Sequence, residues 1–286
     1  MDTVPIGARR RMDAGPVMWA RTFVARVGHH WAENPWILAT FAVRLLRAWR
    51  CLLVDLTPRQ LGRTLWRFIR QTARTFVRGV FVVLALGLAI GLGTGVVARA
   101  AGPLLQPVFA SVIVTVLLRD AAPLVLTLLL AGRMGGSIAA NLGSSSGRDG
   151  SSRVTDQDLT RLALPHLVAG TITAALFYSL GAYFIVRGYL SLGDPARLVD
   201  ASPGWFLRTE PIQSALKFGV VKSMAFGSLV AFAACAFGVA ARERALRGRR
   251  GVNDVQNAVW ETSVVSILIA TALSILLWLT LEPPIR

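Results

Sequence analysis

Charge is what this chain has least of. Only 16% of its 286 residues are Asp, Glu, Lys or Arg, against 54% hydrophobic, and the mean hydropathy is +0.55. A water-solvated domain carries about 25% charged residues, so composition excludes an ordinary soluble globule and makes lipid the solvent for much of the chain. Acid is scarcer still, 15 residues against 31 basic ones, and lysine is nearly missing: Lys217 and Lys222 stand alone among arginines. The two cysteines, Cys51 and Cys235, each fall inside an apolar helical pattern, which points to buried thiols rather than a disulfide or a metal site. Three histidines without HExxH-like spacing offer nothing to a metal, and no cofactor is expected. No zinc, helix-turn-helix or RNP-type pattern accompanies the arginines, so a nucleic-acid partner is not expected either. Arginine beside long apolar stretches instead marks cytoplasmic loops and anionic headgroup contact. A GxxxxGK[ST] phosphate loop is absent, and no cluster of His, Asp and Glu suggests an enzyme acting on lipid.

What the chain has in quantity is apolar length. A hydrophobic span needs about 20 residues, and five stretches qualify: 79–98, 104–131, 163–186, 215–240 and 258–281. The first begins at Gly79, after an arginine-rich segment, which speaks against a cleavable signal peptide. Residues 1–78 hold fourteen arginines and four acids. Arg133, Arg148, Arg153 and Arg161 lie between the second and third stretches, and Arg242, Arg244, Arg247, Arg249 and Arg250 between the fourth and fifth. In the segment 187–214, Arg187, Arg197 and Arg208 are balanced by Asp194, Asp200 and Glu210. The positive-inside rule then places the N-terminus in the cytoplasm and the C-terminus outside. The expected fold is an all-α integral membrane protein of about five transmembrane helices preceded by one or two interfacial amphipathic helices. Its parts are a disordered tail at 1–16, basic amphipathic helices within 17–78 and a membrane domain at 79–286.

The N-terminal region has two similar helix starts, Asn34-Pro35 and Thr57-Pro58, each a capping residue followed by proline at the first helical position. After the second, Arg59, Arg63, Arg67, Arg70, Arg74 and Arg78 are spaced by four, four, three, four and four. At about 100° per residue they share one face, with Leu61, Leu65, Phe68, Ile69 and Phe76 on the other. This spacing predicts a helix at the membrane surface, with Arg63, Arg67, Arg70 and Arg74 meeting phosphates. Residues 36–55, in which Trp36, Phe41, Leu45 and Trp49 interleave with Arg44, Arg47 and Arg50, read as a second such helix.

Within the apolar stretches two features stand out. Gly87, Gly91, Gly93 and Gly95 give the first a small-xxx-small pattern that lets helix backbones approach closely, or lets the segment bend back without crossing. The second contains the adjacent pair Arg119-Asp120, followed by Pro123. A charge near the bilayer centre costs at least ~2.5 kcal/mol, so such residues face a cavity or a partner. Neighbours on a helix point about 100° apart, which keeps these two from pairing well with each other.

These residues also carry a resemblance. The stretch from Leu117 to Gly143, LLRDAAPLVLTLLLAGRMGGSIAANLG, is similar to the pattern RELGP followed by AGRxGxAxxAELG of the MlaE/YrbE permease family. Ala163 to Gly170, ALPHLVAG, resembles its VPRxLAG, and Leu216 to Gly238, LKFGVVKSMAFGSLVAFAACAFG, its LxxGLxKSxxFGxxxAxxxCxxG. Gly251 to Thr280 resembles the family's terminal GVGxATTxAVVxS block. The order is kept over residues 79–281. The resemblance implies the membrane subunit of an ABC-type transporter that moves phospholipid between membranes of the bacterial envelope, seated in the inner membrane. It further implies a homodimer, or a heterodimer with a paralogous permease, joined to a cytoplasmic ATPase subunit and an external MCE-domain protein. In the family the lipid lies in a cavity at the dimer interface near the RELGP arginine and glutamate, positions that match Arg119 and Asp120, with Pro123 at the proline. The loop that couples to the ATPase would include Arg133, Asn141, Asp156 and Gln157.

The departures fall mostly on that loop. Asn141 stands for the AELG glutamate, Thr155, Asp156 and Gln157 for a TEQ, and Ser274 for the acidic residue of the last span. GSSSGRDGSSR, Gly143 to Arg153, reads as flexible coil. These changes also admit a permease-like lipid-binding scaffold without coupling, or a divergent half of a heterodimer. The arginine distribution makes a direct prediction. A reporter fused after Arg148 or Arg247 will read cytoplasmic and one after Asp194 or Arg286 external, and an external signal at Arg247 would overturn the orientation.

Overall fold

The computed structural model describes residues 35–50, 58–100, 112–144, 156–191, 210–246 and 252–281, and all of them are helical. The tail at 1–16, Cys51, the Gly/Ser tract and Arg247 to Arg250 lie outside the described residues. Helix α1 (35–50) and helix α2 (Pro58–Ala100) both open on the prolines that mark the two starts. After Pro58 no proline interrupts α2, and it runs unbroken for 43 residues. At 1.5 Å per residue that is about 65 Å, more than twice the ~30 Å hydrocarbon thickness. The arginine-bearing segment and the first apolar stretch are thus one rod, and the change at residue 79 is one of composition, not of backbone.

The second apolar stretch is described from residue 112 and continues as a helix to residue 144, with its ladder broken: after two π residues at 112–113 come α3 (Val114–Val116), a π segment (Leu117–Ala121), α4 (Ala122–Leu130), another π segment (Ala131–Gly135) and α5 (Gly136–Ser144). Then come α6 (Asp156–Ser191), which passes through Pro165, α7 (Glu210–Leu246) and α8 (Val252–Leu281). Among the described residues four helical spans are long and apolar enough to cross a membrane: Gly62–Ala100, Leu159–Ser191, Ile212–Arg244 and Val255–Leu277. These accommodate four of the five expected stretches. The fifth is the one whose ladder is broken, where Arg119, Asp120 and Pro123 and then Gly132, Gly135 and Gly136 interrupt the apolar run.

Helix α7 is the hub, 67% buried over its most apolar window against 22% for α2 and 28% for α8. The run from Ala233 to Phe237 is buried on every side. Its alanines and Cys235 are small enough for α5, α6 and α8 to pack around it. Helix α1 docks on the same helix: Phe41 meets Phe232 edge-on at 5.2 Å, and Arg44 Nη1 pairs with Glu243 Oε1 at 2.6 Å. Its other face leaves Trp36 and Leu46 exposed beside Arg47 and Arg50. Several hydroxyls inside the spans donate to carbonyls of their own helix, Thr94 to Ile90, Thr171 to Leu167 and Thr262 to Ala258, since an apolar surrounding offers no other partner.

Helices α2 and α6 touch backbone to backbone. A Cβ on Gly91 would lie 2.2 Å from Ile185 O, one on Gly87 2.8 Å from Gly181 O, and one on Gly188 2.8 Å from Leu88 O, whereas Gly93 has nothing within 4 Å. Of the two alternatives that the glycine pattern left open, this part of α2 realises close helix packing. Gly91→Ala must push the helices apart, and overpacking of this kind costs about 1–3 kcal/mol. It should lower the melting temperature of the detergent-solubilised protein while Gly93→Ala leaves it unchanged; equal effects would sink the close-approach account.

Candidate functional site

The site begins with a missing donor. In an α-helical register Leu118 O would accept from the N–H of Ala122, but that N–H is spent on Leu117 O, the i→i+5 bond of the π segment. In the π register the donor for Leu118 O would be residue 123, a proline without N–H. The phenol of Tyr178, reaching across from α6, donates to it at 2.8 Å. Gly219 on α7 leaves the space: a Cβ there would stand 2.0 Å from the Tyr178 Oη. One turn on, Thr127 Oγ1 donates to Pro123 O at 2.7 Å. An apolar environment makes the Tyr178 bond necessary for the Leu118 carbonyl, and the back-bond pairs the buried Thr127 hydroxyl, since a buried unpaired polar group costs several kcal/mol there.

The extra residue of the π turn rotates the helix C-terminal to it by about 100° relative to the N-terminal part, and the charged pair sits within that turn. Asp120 Oδ1 forms an ion pair with Lys222 Nζ of α7, so its partner is a residue 102 positions away and not its neighbour. The lysine side chain is only 2% exposed and the carboxylate 30%. Phe218, one turn before Lys222, carries both cations against its ring: the Arg119 guanidinium is 5.1 Å from the centroid and Lys222 Nζ 5.0 Å. The cluster brings two basic side chains and one acidic one together, and both basic groups share the Phe218 ring.

The remaining residues singled out by sequence fall in several places. Pro123 is buried beside the pair. Arg133 lies in the π segment Ala131–Gly135, and Asp156 and Gln157 open α6; the side chains of these three lie outside the described residues. Arg63, Arg67, Arg70 and Arg74 are all exposed on α2. Arg74 and Asn141, expected in different roles, line one cavity of about 370 Å³. Sequence reasoning missed Lys222, Phe218 and Tyr178 as parts of the site. A signal for Lys222 existed, since it is one of two lysines and sits inside an apolar run. Phe218 and Tyr178 carried none, because one aromatic in an apolar helix looks like any other.

Among curated proteins none matches the chain. A family model described as Permease MlaE matches residues 68–278, well over half of the sequence. The chain belongs to the MlaE permease family. It is a multi-pass membrane protein and the membrane permease of an ABC-type transporter. The family match starts at Phe68, inside α2 and ahead of Gly79, in keeping with the continuity of that helix.

The donor supplied by Tyr178 can be removed alone. Tyr178→Phe keeps the ring and strands the Leu118 carbonyl, a loss of about 1–3 kcal/mol. Lys222→Met strands Asp120 instead, and breaking a buried pair costs ~3–5 kcal/mol. Asp120→Asn combined with Lys222→Met should recover most of that loss in thermal melts of the solubilised protein. A double variant no better than Lys222→Met would mean that the pair is not what Lys222 contributes.

Proposed function

We propose that this permease moves phospholipid, and that Arg119 receives the lipid phosphate while Asp120 and Lys222 set the charge around it. The observation that carries the proposal is the cluster itself, two cations held against Phe218 and one carboxylate paired with Lys222, within the apolar bundle. A guanidinium presents a planar fork of donors that fits two phosphate oxygens at once, and the apolar helices around it suit acyl chains. Arg119, Asp120 and Pro123 also match the family's RELGP positions. Ionisable groups at membrane depth mark transport paths more often than they serve packing.

On this proposal the permease sits in the bacterial inner membrane, N-terminus in the cytoplasm and C-terminus outside. It pairs with a second permease copy or a paralogue, a separate ATPase subunit and an MCE-domain protein. ATP hydrolysis falls to the partner, since this chain has no phosphate loop. Asn141 and the Gly/Ser tract favour the alternative of an uncoupled lipid-binding scaffold. Co-purification separates the two: an ATPase and an MCE-domain protein in the solubilised complex support the transporter, and a lone oligomer supports the scaffold.

Arg119→Ala should leave the protein folded yet weaken bound phospholipid at least about tenfold, the loss expected for one hydrogen bond to a charged group. Arg119→Lys should be intermediate, keeping the charge without the fork. Photo-crosslinking from position 119 is the direct measurement: labelled lipid adducts support the assignment, and adducts to protein alone would leave the cluster a structural ion pair.

A further inference from the structure

A second place in the molecule combines cationic donors with an apolar slot, and none of the charged residues of the Arg119 cluster takes part in it. The cavity of about 370 Å³ that holds Arg74 and Asn141 is also lined by Arg78, Gln71, Ser137 and His166, from α2, α5 and α6. All six can donate hydrogen bonds, and no acidic side chain lines the cavity among the described residues. Its far wall is Leu129 and Phe177, and both residues also line the next crevice along the same helices. That crevice is narrow, about 40 Å³, and almost wholly apolar, bounded by Val83, Leu86 and Ile90 of α2, Val125 and Leu126 of α4, and Ile185 of α6. The polar cavity lies beside residues 71–79 of α2 and the apolar crevice beside 83–90, so the change from one to the other falls where the apolar stretch begins, at Gly79. Phe177 sits at the junction, buried against Gly79 and stacked on Phe76 at 5.5 Å.

We propose that this pair of compartments is a phospholipid site at the membrane surface facing the arginine-rich loops. Arg74 and Arg78 would hold the phosphate, and one acyl chain would leave along Phe177 and lie over the mouth of the narrow crevice between α2, α4 and α6. The site rests on the membrane placement and lipid substrate class proposed above but not on Arg119: it shares none of the charged residues of that cluster, although Tyr178 also lines the crevice. On the proposed orientation it opens to the cytoplasmic leaflet. The chemistry required is a phosphate joined to an alkyl chain: a free anion would fill the polar cavity and leave the crevice unused. Arg63 and Arg67 lie on the same exposed stripe but line neither compartment, so they provide an internal comparison.

The test uses the full-length chain in detergent, titrated with phosphatidylglycerol and read as lipids bound per chain by native mass spectrometry. Each basic residue near an anionic group contributes enough that losing both arginines lowers affinity about 30-fold. Arg74→Gln with Arg78→Gln should therefore weaken one class of bound lipid by that factor, and Arg63→Gln with Arg67→Gln should not. Ser137→Trp, a bulky residue at an exposed position on the cavity wall, should block the same class without removing charge. Arg119→Ala should leave this class in place even where it abolishes another, so that each site fails separately. Three results would overturn the proposal: equal losses from the two arginine pairs, which would reduce the effect to general surface attraction; full binding in Ser137→Trp; or displacement of the lipid by inorganic phosphate, which would make the ligand a free anion.

Discussion

A helix in hydrocarbon must find a donor for every carbonyl, and Leu118 O is one from which this sequence withholds the backbone donor. Pro123 removes the N–H, the π turn takes the neighbouring N–H for Leu117, and the donor comes from another helix, from Tyr178. Much else depends on that single bond. It ties α6 to the broken helix, it requires Gly219 on α7 to have no side chain, and it fixes the turn from which Asp120 reaches Lys222. Three helices meet at one carbonyl, and the charged cluster stands on the structure they make there.

The rest of the bundle solves the same problem by a different route. In lipid the hydrophobic effect does not press apolar helices together, so association relies on close packing and on the few polar contacts available. Gly87, Gly91 and Gly188 bring α2 and α6 to backbone contact. Gly170 and Gly227 do the same for α6 and α7, where Thr171 and Ser228 add a hydroxyl contact of 2.8 Å. Helix α6 is thus held on both sides by glycine crossings, which is why it can carry Tyr178 to a fixed place.

Much of this was legible in the sequence because lipid imposes long apolar runs and makes any charge within them conspicuous. The four spanning helices, the proline starts of α1 and α2 and the family itself can be read from such runs and from ordered motifs. The π segments were not legible. At the segment Leu117–Ala121 the groups that accompany the π turn, Tyr178 and Lys222, lie far away in sequence on α6 and α7. The continuity of α2 was missed because a change from arginine to apolar residues looks like a boundary, although nothing between Pro58 and Ala100 breaks a helix. The partner of Asp120 was missed because adjacency drew attention to Arg119, while the pairing group lies on another helix.

The two positively charged places differ in how their charge is held, and the difference bears on what each can do. Lys222 is almost fully buried and tied to Asp120, so its charge is fixed in place and screened little by salt. Arg74 and Arg78 are exposed at the edge of the apolar region, where salt and competing headgroups weaken any contact they make. An exposed pair of arginines suits exchange with the surrounding leaflet, because binding there is reversible at little cost in reorganisation. A buried cluster suits selection, because a ligand that leaves its buried donors unpaired is disfavoured strongly. On the proposed reading, a lipid would be admitted where charge is loosely held and discriminated where it is not, and the glycine-packed α2 and α6 would be the elements that the first of these sites shares with the frame supporting the second.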